Sequence, residues 1–328
     1  MLTKNLGTLT TSALGLGCMA MSGAYGAADR DESVATVHAA LDAGIALLDT
    51  GDFYRSGHNE LLLAEALRSV PRESYQLSVK FGAQVAPDGS FVGVDNRPSA
   101  VKSALAYSLQ RLGTDHVDVY RPARLDPAVP VEDTIGALGE LVDAGYVRHI
   151  GLSEVGSETI RRAAAVRPIS DLQIEYSLVD RGIERGILDT CRDLGIGITA
   201  YGVLSRGLIS GHWTKTSGGQ GDYRLGGPRF SGTNLDRNLA VVDTLRGVAE
   251  ELGITVAQAA IAWVGSRGGD IVPLVGAKTR VRLTEALGAG AVVLTADQLA
   301  LLEQAVPGGR LAGDRYPAAQ MAMLDSER

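Results

Sequence analysis

The stretch IALLDTGDFY, residues 45–54, decides the fold class of this chain. Its first four residues are continuously apolar, as in a strand buried on both faces, and an acid, Asp49, and a phenol, Tyr54, follow. Two later segments repeat the arrangement: YQLSVK, residues 75–80, ends in a lysine, and VDVYRPAR, residues 117–124, ends in an arginine. Polar groups at the ends of successive buried strands predict one shared mouth, as in a barrel of parallel strands.

Strand and helix patterns alternate outward from this stretch. The predicted strands are ALGLGCM (13–19), IALLDT (45–50), YQLSVK (75–80), VDVYR (117–121), HIGLS (149–153), DLQIEY (171–176), GITAY (197–201) and IVPLVG (271–276). Eight strand–helix units fit a closed (β/α)8 TIM barrel of the α/β class better than an open doubly wound sheet, which one sequence does not rule out. We therefore expect a single barrel domain over residues 1–328, with an N-terminal hairpin and a C-terminal tail beyond Ala305. The glycine-rich segment Val203–Asn238 predicts a loop, followed by a helix from Leu239.

The composition argues against several classes of protein. A hydrophobic content of 45% in 328 residues is ample for a core, and a net charge of −7 without a basic tract gives no reason to expect a nucleic-acid partner. The two cysteines, Cys18 and Cys191, have neither a disulfide pattern nor metal-ligand spacing, so no metal is expected. The N-terminus has no signal-peptide pattern and no apolar run reaches about 18 residues, which predicts a cytoplasmic protein without a membrane span.

The polar strand ends and their flanking segments resemble the aldo-keto reductase superfamily, whose members are NADPH-dependent carbonyl reductases built on this barrel. The motifs that carry the resemblance are DTGDFYRSGHNE (49–60), LSVKFG (77–82), GLSEV (151–155), QIEYS (173–177), AYGVLSRG (200–207), PRF (228–230) and VGAKTRVRL (275–283). They occur in order over nearly the whole chain. The resemblance implies an oxidoreductase that reduces an aldehyde or ketone to the alcohol, with a small-molecule carbonyl compound as its partner.

The resemblance implies three catalytic residues. Tyr54 is the expected acid that protonates the carbonyl oxygen as a hydride reaches the carbon. A free phenol has a pKa of about 10, and a neighbouring ammonium such as Lys80 lowers that pKa, while Asp49 pairs with the lysine and orients it. Taken alone, Asp49 and Lys80 are also compatible with a structural ion pair beside a surface tyrosine, although the catalytic interpretation is favoured. The other motifs favour the catalytic interpretation.

The resemblance also implies an NADP(H) site. Ser153 and Gln173 match positions that bind the nicotinamide carboxamide, Tyr201 a position that stacks on the ring, and Lys278 and Arg282 positions that bind the 2′-phosphate. The full set of expected cofactor-binding residues is Gly17, Cys18, Met19, Asp49, Ser153, Gln173, Tyr201, Gly202, Leu204, Ser205, Arg206, Gly207, Gly276, Lys278, Thr279, Arg282 and Glu285. A solvated helix face is the alternative for Lys278 and Arg282. No GxGxxG follows a strand, so a Rossmann dehydrogenase is not indicated.

The chain departs from the family pattern at the fourth strand. The pattern there is similar to DLYxxHR, but this chain has DVYRPAR, with Ala123 at the histidine position. That histidine donates to the carbonyl oxygen, and its replacement here is Arg121, Arg124, His58 or an ordered water. The expected substrate pocket consists of Tyr25, Phe53, Phe81, Arg121, Ala123 and Arg124. A second departure is Glu154, where many members have asparagine.

Two alternative functions follow from the altered fourth strand. The segment PARLDP, residues 122–127, resembles the pyridoxal-reducing branch of the family, which also lacks the histidine. A slow-turnover regulatory subunit, like the potassium-channel β subunits of the superfamily, is the second alternative, and Asp49, Tyr54 and Lys80 argue against it. A structural barrel without a cofactor is less consistent with the motifs. The sequence predicts neither the specific substrate nor the oligomeric state.

Overall fold

The computed structural model describes residues 1–328, except for the side chain of Pro307. The strands are β1 (Thr3–Leu6), β2 (Leu9–Ser12), β3 (Gly15–Gly17), β4 (Leu47–Gly51), β5 (Gln76–Phe81), β6 (Ala83–Val85), β7 (Phe91–Val94), β8 (Val117–Pro122), β9 (Val147–Ser153), β10 (Asp171–Glu175), β11 (Gly197–Tyr201) and β12 (Ile271–Gly276). Eight of them form a closed barrel of parallel strands, in the order β3, β4, β5, β8, β9, β10, β11 and β12. The α/β TIM-barrel prediction is confirmed.

Helices surround the barrel strands. They are α1 (Arg30–Asp42), α2 (His58–Leu67), α3 (Pro98–Leu112), α4 (Val131–Asp143), α5 (Ser157–Val166), α6 (Ile187–Asp193), α7 (Gly232–Glu251), α8 (Val256–Gly265), α9 (Arg280–Gly288), α10 (Ala296–Gln304) and the short α11 (Ala318–Met321). Within the described part of the chain, no helix is long and apolar enough to cross a membrane.

Strand register brings the polar strand ends to one level. All five residues of β4 are buried, including the polar Asp49 and Thr50 that follow its apolar start, and Asp49 lies opposite Gly17 on one side and Ser78 on the other. Farther around the barrel, Ser153 and Gln173 are direct partners between β9 and β10. Residues that are distant in sequence therefore meet at the carboxyl end of the barrel, where the chemistry of this fold is found.

The N-terminal hairpin of β1 and β2 covers the opposite end of the barrel. The Lys4 ammonium donates to the carbonyl oxygens of Gly265, Gly268 and Ile271, at 2.6, 2.9 and 2.7 Å. Beside it, Leu6 and Leu9 pack against apolar side chains inside the barrel, namely Leu47, Val119 and Val272. The hairpin thus closes this end with both hydrogen bonds and apolar contact.

One sequence-based expectation needs correction, and two elements of the structure were not predicted. The predicted loop is shorter than expected, because α7 begins at Gly232 and not at Leu239. Its first seven residues, GTNLDRN, are mostly polar, so the apolar periodicity does not reveal the first turns. The antiparallel hairpin of β6 and β7 was not predicted, since its short strands are largely exposed. Helix α10, just before the predicted tail, was also not predicted. Its start could have been recognised, because Thr295 and Gln298 in the sequence TADQ have the spacing of a capping box and form one in the structure.

Candidate functional site

A cavity of about 520 Å³ opens at the carboxyl ends of the barrel strands. It brings together most of the residues that the sequence motifs indicated. Of the predicted site residues, those lining it are Gly17, Met19, Tyr25, Asp49, Phe53, Tyr54, Lys80, Arg124, Ser153, Gln173, Tyr201, Gly202, Leu204, Arg206, Gly207, Gly276, Lys278, Arg282 and Glu285. Six of the seven motifs therefore converge on one site, whereas no residue of PRF (228–230) lines the cavity.

Asp49 organises the floor of the cavity. One carboxylate oxygen forms a buried ion pair with the Lys80 ammonium. The other accepts hydrogen bonds from the Ser78 hydroxyl at 2.8 Å and the Gln173 amide at 2.7 Å. Burial lowers the pKa of Lys80, and the Asp49 carboxylate opposes this effect. The carboxylate thus fixes the lysine and links strands from different parts of the barrel.

Tyr54 lies beside this pair. The Lys80 ammonium is 5.1 Å from the centre of the Tyr54 ring, and the Phe53 ring packs edge-on against Tyr54 at 4.9 Å. Burial raises the pKa of Tyr54 well above its ordinary value, the Asp49 charge raises it further, and Arg124 opposes both. The expected lowering of this pKa is therefore not seen. Tyr54 is a neutral phenol at pH 7, which is the protonated form that a proton donor requires.

The tyrosine at the end of β11 belongs to a second polar network. The Tyr201 hydroxyl donates to a Glu154 carboxylate oxygen at 2.6 Å and lies 2.9 Å from the Tyr316 hydroxyl of the tail. Glu154 is fully buried, has a left-handed backbone with φ of 54°, and accepts two hydrogen bonds of 2.7 Å from Arg315. The glutamate that departs from the family pattern therefore ties the tail to the barrel.

Positive groups from the segment after β12, from α9 and from the loop after β11 also line the cavity. Lys278 donates to the backbone carbonyls of Tyr25 and Ala27, at 3.1 and 2.6 Å, and Arg282 pairs with Glu285 at 3.2 Å. Arg206 was expected at a pyrophosphate. Its guanidinium instead pairs with Glu175 at 3.2 Å and lies over the Tyr316 ring at 4.2 Å, because the tail offers it a carbonyl and an aromatic face.

Three predicted cofactor-binding residues do not line the cavity. Cys18 is fully buried, with its thiol directed at the Leu16 carbonyl. Ser205 is also buried, and its hydroxyl accepts from Arg229 at 3.2 Å. The Thr279 side chain caps the start of α9. Each of these three side chains forms a hydrogen bond within the protein. Neighbouring residues of the same motifs line the cavity, but these three do not.

The predicted substrate pocket also needs correction at three positions. The Phe81 ring stacks on Tyr120 at 4.4 Å, inside the protein. Arg121 is fully buried, and its guanidinium donates to both oxygens of Asp171, at 2.9 and 3.0 Å. Ala123 is buried and does not line the described cavity. Phe81 ends β5, Arg121 belongs to β8 and Ala123 follows β8; all three side chains are buried and do not line the cavity.

Sequence reasoning missed several aromatic and charged residues of the wall. They come from the long loop and the tail and include His212, Trp213, Tyr223, Arg224 and Tyr316. The Arg224 guanidinium lies 4.7 Å from the centre of the Tyr25 ring and 4.4 Å from that of Trp213. Aromatic residues in an otherwise polar segment are the only local signal for such a wall, since no periodicity marks them.

The lining of the cavity is predominantly cationic, which suits an anionic ligand. Six of its lining residues are cationic and two are carboxylates, although the whole chain has a net charge of −7. At Gly276 an added Cβ would have only the Gly17 carbonyl within 4 Å, at 3.8 Å, so the glycine leaves an open cradle. Among the described residues, no group of three or more His, Cys, Asp or Glu side chains is placed to hold a metal ion.

Comparisons with known proteins agree with this architecture. Residues 13–307 match the model of the aldo/keto reductase family. The chain is 39% identical to a probable aldo-keto reductase 1 of Glycine max over 308 residues, which are 93% of this chain and 88% of the relative. Its structure is similar to a glycerol dehydrogenase from Gluconobacter oxydans, with a TM-score of 0.84, 27% identity, and coverage of 92% and 94% of the two chains. It is also similar to an aldo-keto reductase from Bacillus halodurans in holo form, with a TM-score of 0.77, 25% identity, and coverage of 93% and 96%. The chain is therefore a member of the aldo/keto reductase family, an oxidoreductase that acts on small carbonyl compounds.

Proposed function

We propose that this protein reduces an aldehyde or ketone to the alcohol with NADPH, using Tyr54 as the proton donor. The observation that carries the proposal is the meeting of Asp49, Tyr54 and Lys80 at one end of a cationic cavity. A glycerol dehydrogenase among the similar structures supports chemistry between an alcohol and a carbonyl group. We also propose one domain for the whole chain and the cytoplasm as its compartment.

The residues of the cavity divide between the two ends of the cofactor. Ser153 and Gln173 are adjacent partners that would hold the carboxamide, and Tyr201 would lie against the nicotinamide ring. Lys278 and Arg282 would face the 2′-phosphate, as cations suited to a phosphate monoester. When bound, the nicotinamide supplies a hydride to the carbonyl carbon and is itself oxidised.

The protein's own residues handle the proton. As the carbonyl π bond breaks, its electron pair moves to the oxygen, and Tyr54 transfers its phenolic proton there to give the alcohol. The remaining phenolate is stabilised by the Lys80 ammonium beside the ring, and Asp49 holds that ammonium in place. Water at the mouth of the cavity then returns a proton to Tyr54, which completes the cycle.

The variant Tyr54→Phe tests this role directly. We expect kcat for aldehyde reduction to fall by at least about 100-fold, because only the transferable proton is removed. NADPH affinity, measured by fluorescence titration, should stay nearly unchanged. Tyr107→Phe, at a tyrosine that is 60% exposed, is the matched control and should keep full activity. A Tyr54→Phe enzyme that retained most of its kcat would require another proton donor.

A panel of carbonyl compounds, with NADPH absorbance as the signal, separates the remaining candidates. Simple aldehydes and ketones test the general activity, and pyridoxal tests the branch that PARLDP resembles. Tight NADPH binding without turnover of any compound would instead favour a regulatory subunit. Failure to bind NADPH at all would reject the proposed function.

A further inference from the structure

The structure reduces the number of side chains that could replace the missing histidine. Arg121 is excluded because its guanidinium is committed to Asp171 within the barrel. His58 does not line the described cavity, and its ring nitrogen lies 2.9 Å from the Ser22 hydroxyl. Of the side chains that the sequence suggested, only Arg124 reaches the cavity that contains Tyr54.

Arg124 has more N–H donors than it uses in the described hydrogen bonds. A guanidinium carries five N–H donors. Within the described structure, Arg124 uses one for the Ala123 carbonyl at 2.6 Å and one for the Tyr316 hydroxyl at 3.5 Å. The side chain is half-buried and lines the cavity, so its remaining donors are available to a ligand there.

Arg124 also differs from four of the other five cations that line the cavity in having no carboxylate partner. Four of the six cations lining the cavity form ion pairs with carboxylates: Lys80 with Asp49, Arg206 with Glu175, Arg224 with Asp222, and Arg282 with Glu285. Among the described contacts, only Lys278 and Arg124 lack such a partner, and Lys278 bonds to backbone carbonyls near Tyr25. Although burial raises the pKa of Tyr54, the charge of Arg124 acts against that rise, as expected of a cation near the phenol.

The hydrogen-bond directions around Tyr316 are fixed by Glu154. An ionised carboxylate only accepts hydrogen bonds, so the Tyr201 hydroxyl donates to Glu154. The Tyr201 oxygen then accepts from Tyr316, and the Tyr316 oxygen accepts from Arg124. These hydrogen bonds connect the Arg124 guanidinium, through Tyr316 of the tail, to Tyr201 and Glu154.

Resting on the proposed function, we infer that Arg124 donates a hydrogen bond to the substrate's carbonyl oxygen, in place of the family histidine, and that Tyr316 positions Arg124. Negative charge develops on this oxygen as the hydride arrives at carbon, and the guanidinium stabilises it until Tyr54 delivers the proton. Arg124 donates without being deprotonated, so the atoms and charges of the reduction are unchanged. Arg124 is thus a catalytic residue and Tyr316 a positioning residue.

The test uses Arg124→Met, Arg124→Lys and the control Arg310→Met, an exposed arginine with no ion pair in the described structure. With an uncharged aromatic aldehyde, Arg124→Met should lower kcat by about 100- to 1,000-fold, as expected for the loss of an oxyanion donor. NADPH affinity should change by less than about two-fold, because the cofactor is held elsewhere. Added guanidinium ion should restore part of the Arg124→Met rate but none of the Tyr54→Phe rate. Arg124→Lys should retain intermediate activity, since an ammonium keeps the charge but not the fork geometry.

Tyr316→Phe tests the positioning role. It should lower kcat about five-fold with little change in KM, in line with one lost hydrogen bond. In the double variant Arg124→Met/Tyr316→Phe, the second change should cause no further loss, because Tyr316 acts only through Arg124. A purely structural role for Tyr316 would instead give independent, multiplicative losses.

The outcomes separate this inference from the proposed function. If Arg124→Met keeps kcat within about three-fold while Tyr54→Phe is inactive, the reductase assignment holds and the role of Arg124 is wrong. If the unaltered protein neither binds NADPH nor reduces any carbonyl compound, both fall. Circular dichroism identifies a variant that fails to fold, and Arg124→Lys then decides the question: full activity of that variant would reject a geometric role for the guanidinium.

Discussion

Replacing Arg315 by methionine should lower the free energy of unfolding at pH 7 by about 3 kcal/mol. The guanidinium is buried and donates to both carboxylate oxygens of Glu154 at 2.7 Å. Burial alone would raise the pKa of Glu154, but Arg315, with smaller contributions from Arg124 and Tyr201, outweighs burial, and the pKa is lowered from 4.5 to about 2. Because one pH unit corresponds to about 1.4 kcal/mol, this difference is worth roughly 3 kcal/mol. The variant leaves that charge buried without its main partner.

The effect should depend on pH in a defined direction. Since the pKa of Glu154 is lower in the folded than in the unfolded chain, the stabilisation is complete above pH 4.5 and is lost as the pH falls toward 2. The difference between Arg315→Met and the unaltered protein should therefore shrink to about half between pH 7 and pH 3. Urea titrations followed by circular dichroism measure it at both pH values. Arg310→Met is the control, and we expect it to change stability by less than about 0.5 kcal/mol. A loss below 1 kcal/mol at pH 7, or an equal loss at both pH values, would refute the reasoning about this ion pair.

Lys278→Met combined with Arg282→Met should remove a preference for NADPH over NADH, because both cations line the cavity and suit a phosphate monoester. Equal affinity of the unaltered protein for the two cofactors, by fluorescence titration, would contradict this. Asp49→Asn should lower kcat by about 100-fold, since the ammonium beside the phenol loses its anchoring charge. Steady-state kinetics check this, and an unchanged kcat would show that the pair is structural. Gly57→Ala should cost at least about 1–2 kcal/mol in urea unfolding, because φ is +87° and an added Cβ would lie 2.7 Å from Cδ of Arg111. A neutral effect would mean that the turn relaxes freely.

Much of the barrel was predictable because several of its strands begin with continuous runs of apolar residues. Segments such as IALLD and IVPLV are buried on both faces, and the structure places strands at Leu47–Gly51 and Ile271–Gly276, within two residues of the prediction. The start of α7 was not predictable, since its exposed first turns are made of polar residues. The β6–β7 hairpin carries little apolar signal for the same reason.

The site was predictable where a strand end supplies the side chain. Asp49 and Lys80 meet because register fixes their strands, and motif spacing reflects that register. The contacts of Arg206 and the presence of Tyr316 in the site were beyond prediction, because both depend on how the tail folds back over the mouth. Arg121 and Arg124 look alike in sequence, and only the direction of the chain after β8 decides that one is buried and the other faces the cavity.

The hairpin at the other end of the barrel has a consequence for how this protein can change over evolutionary time or in the laboratory. Lys4 and the apolar residues beside it stabilise the end that lies away from Tyr54 and the cavity. The contacts that stabilise the barrel through the hairpin and the residues of the site thus lie at opposite ends of the barrel. Directed evolution that first strengthens the hairpin would gain a reserve of stability without altering catalysis, and that reserve would let the mouth accept destabilising substitutions toward new substrates.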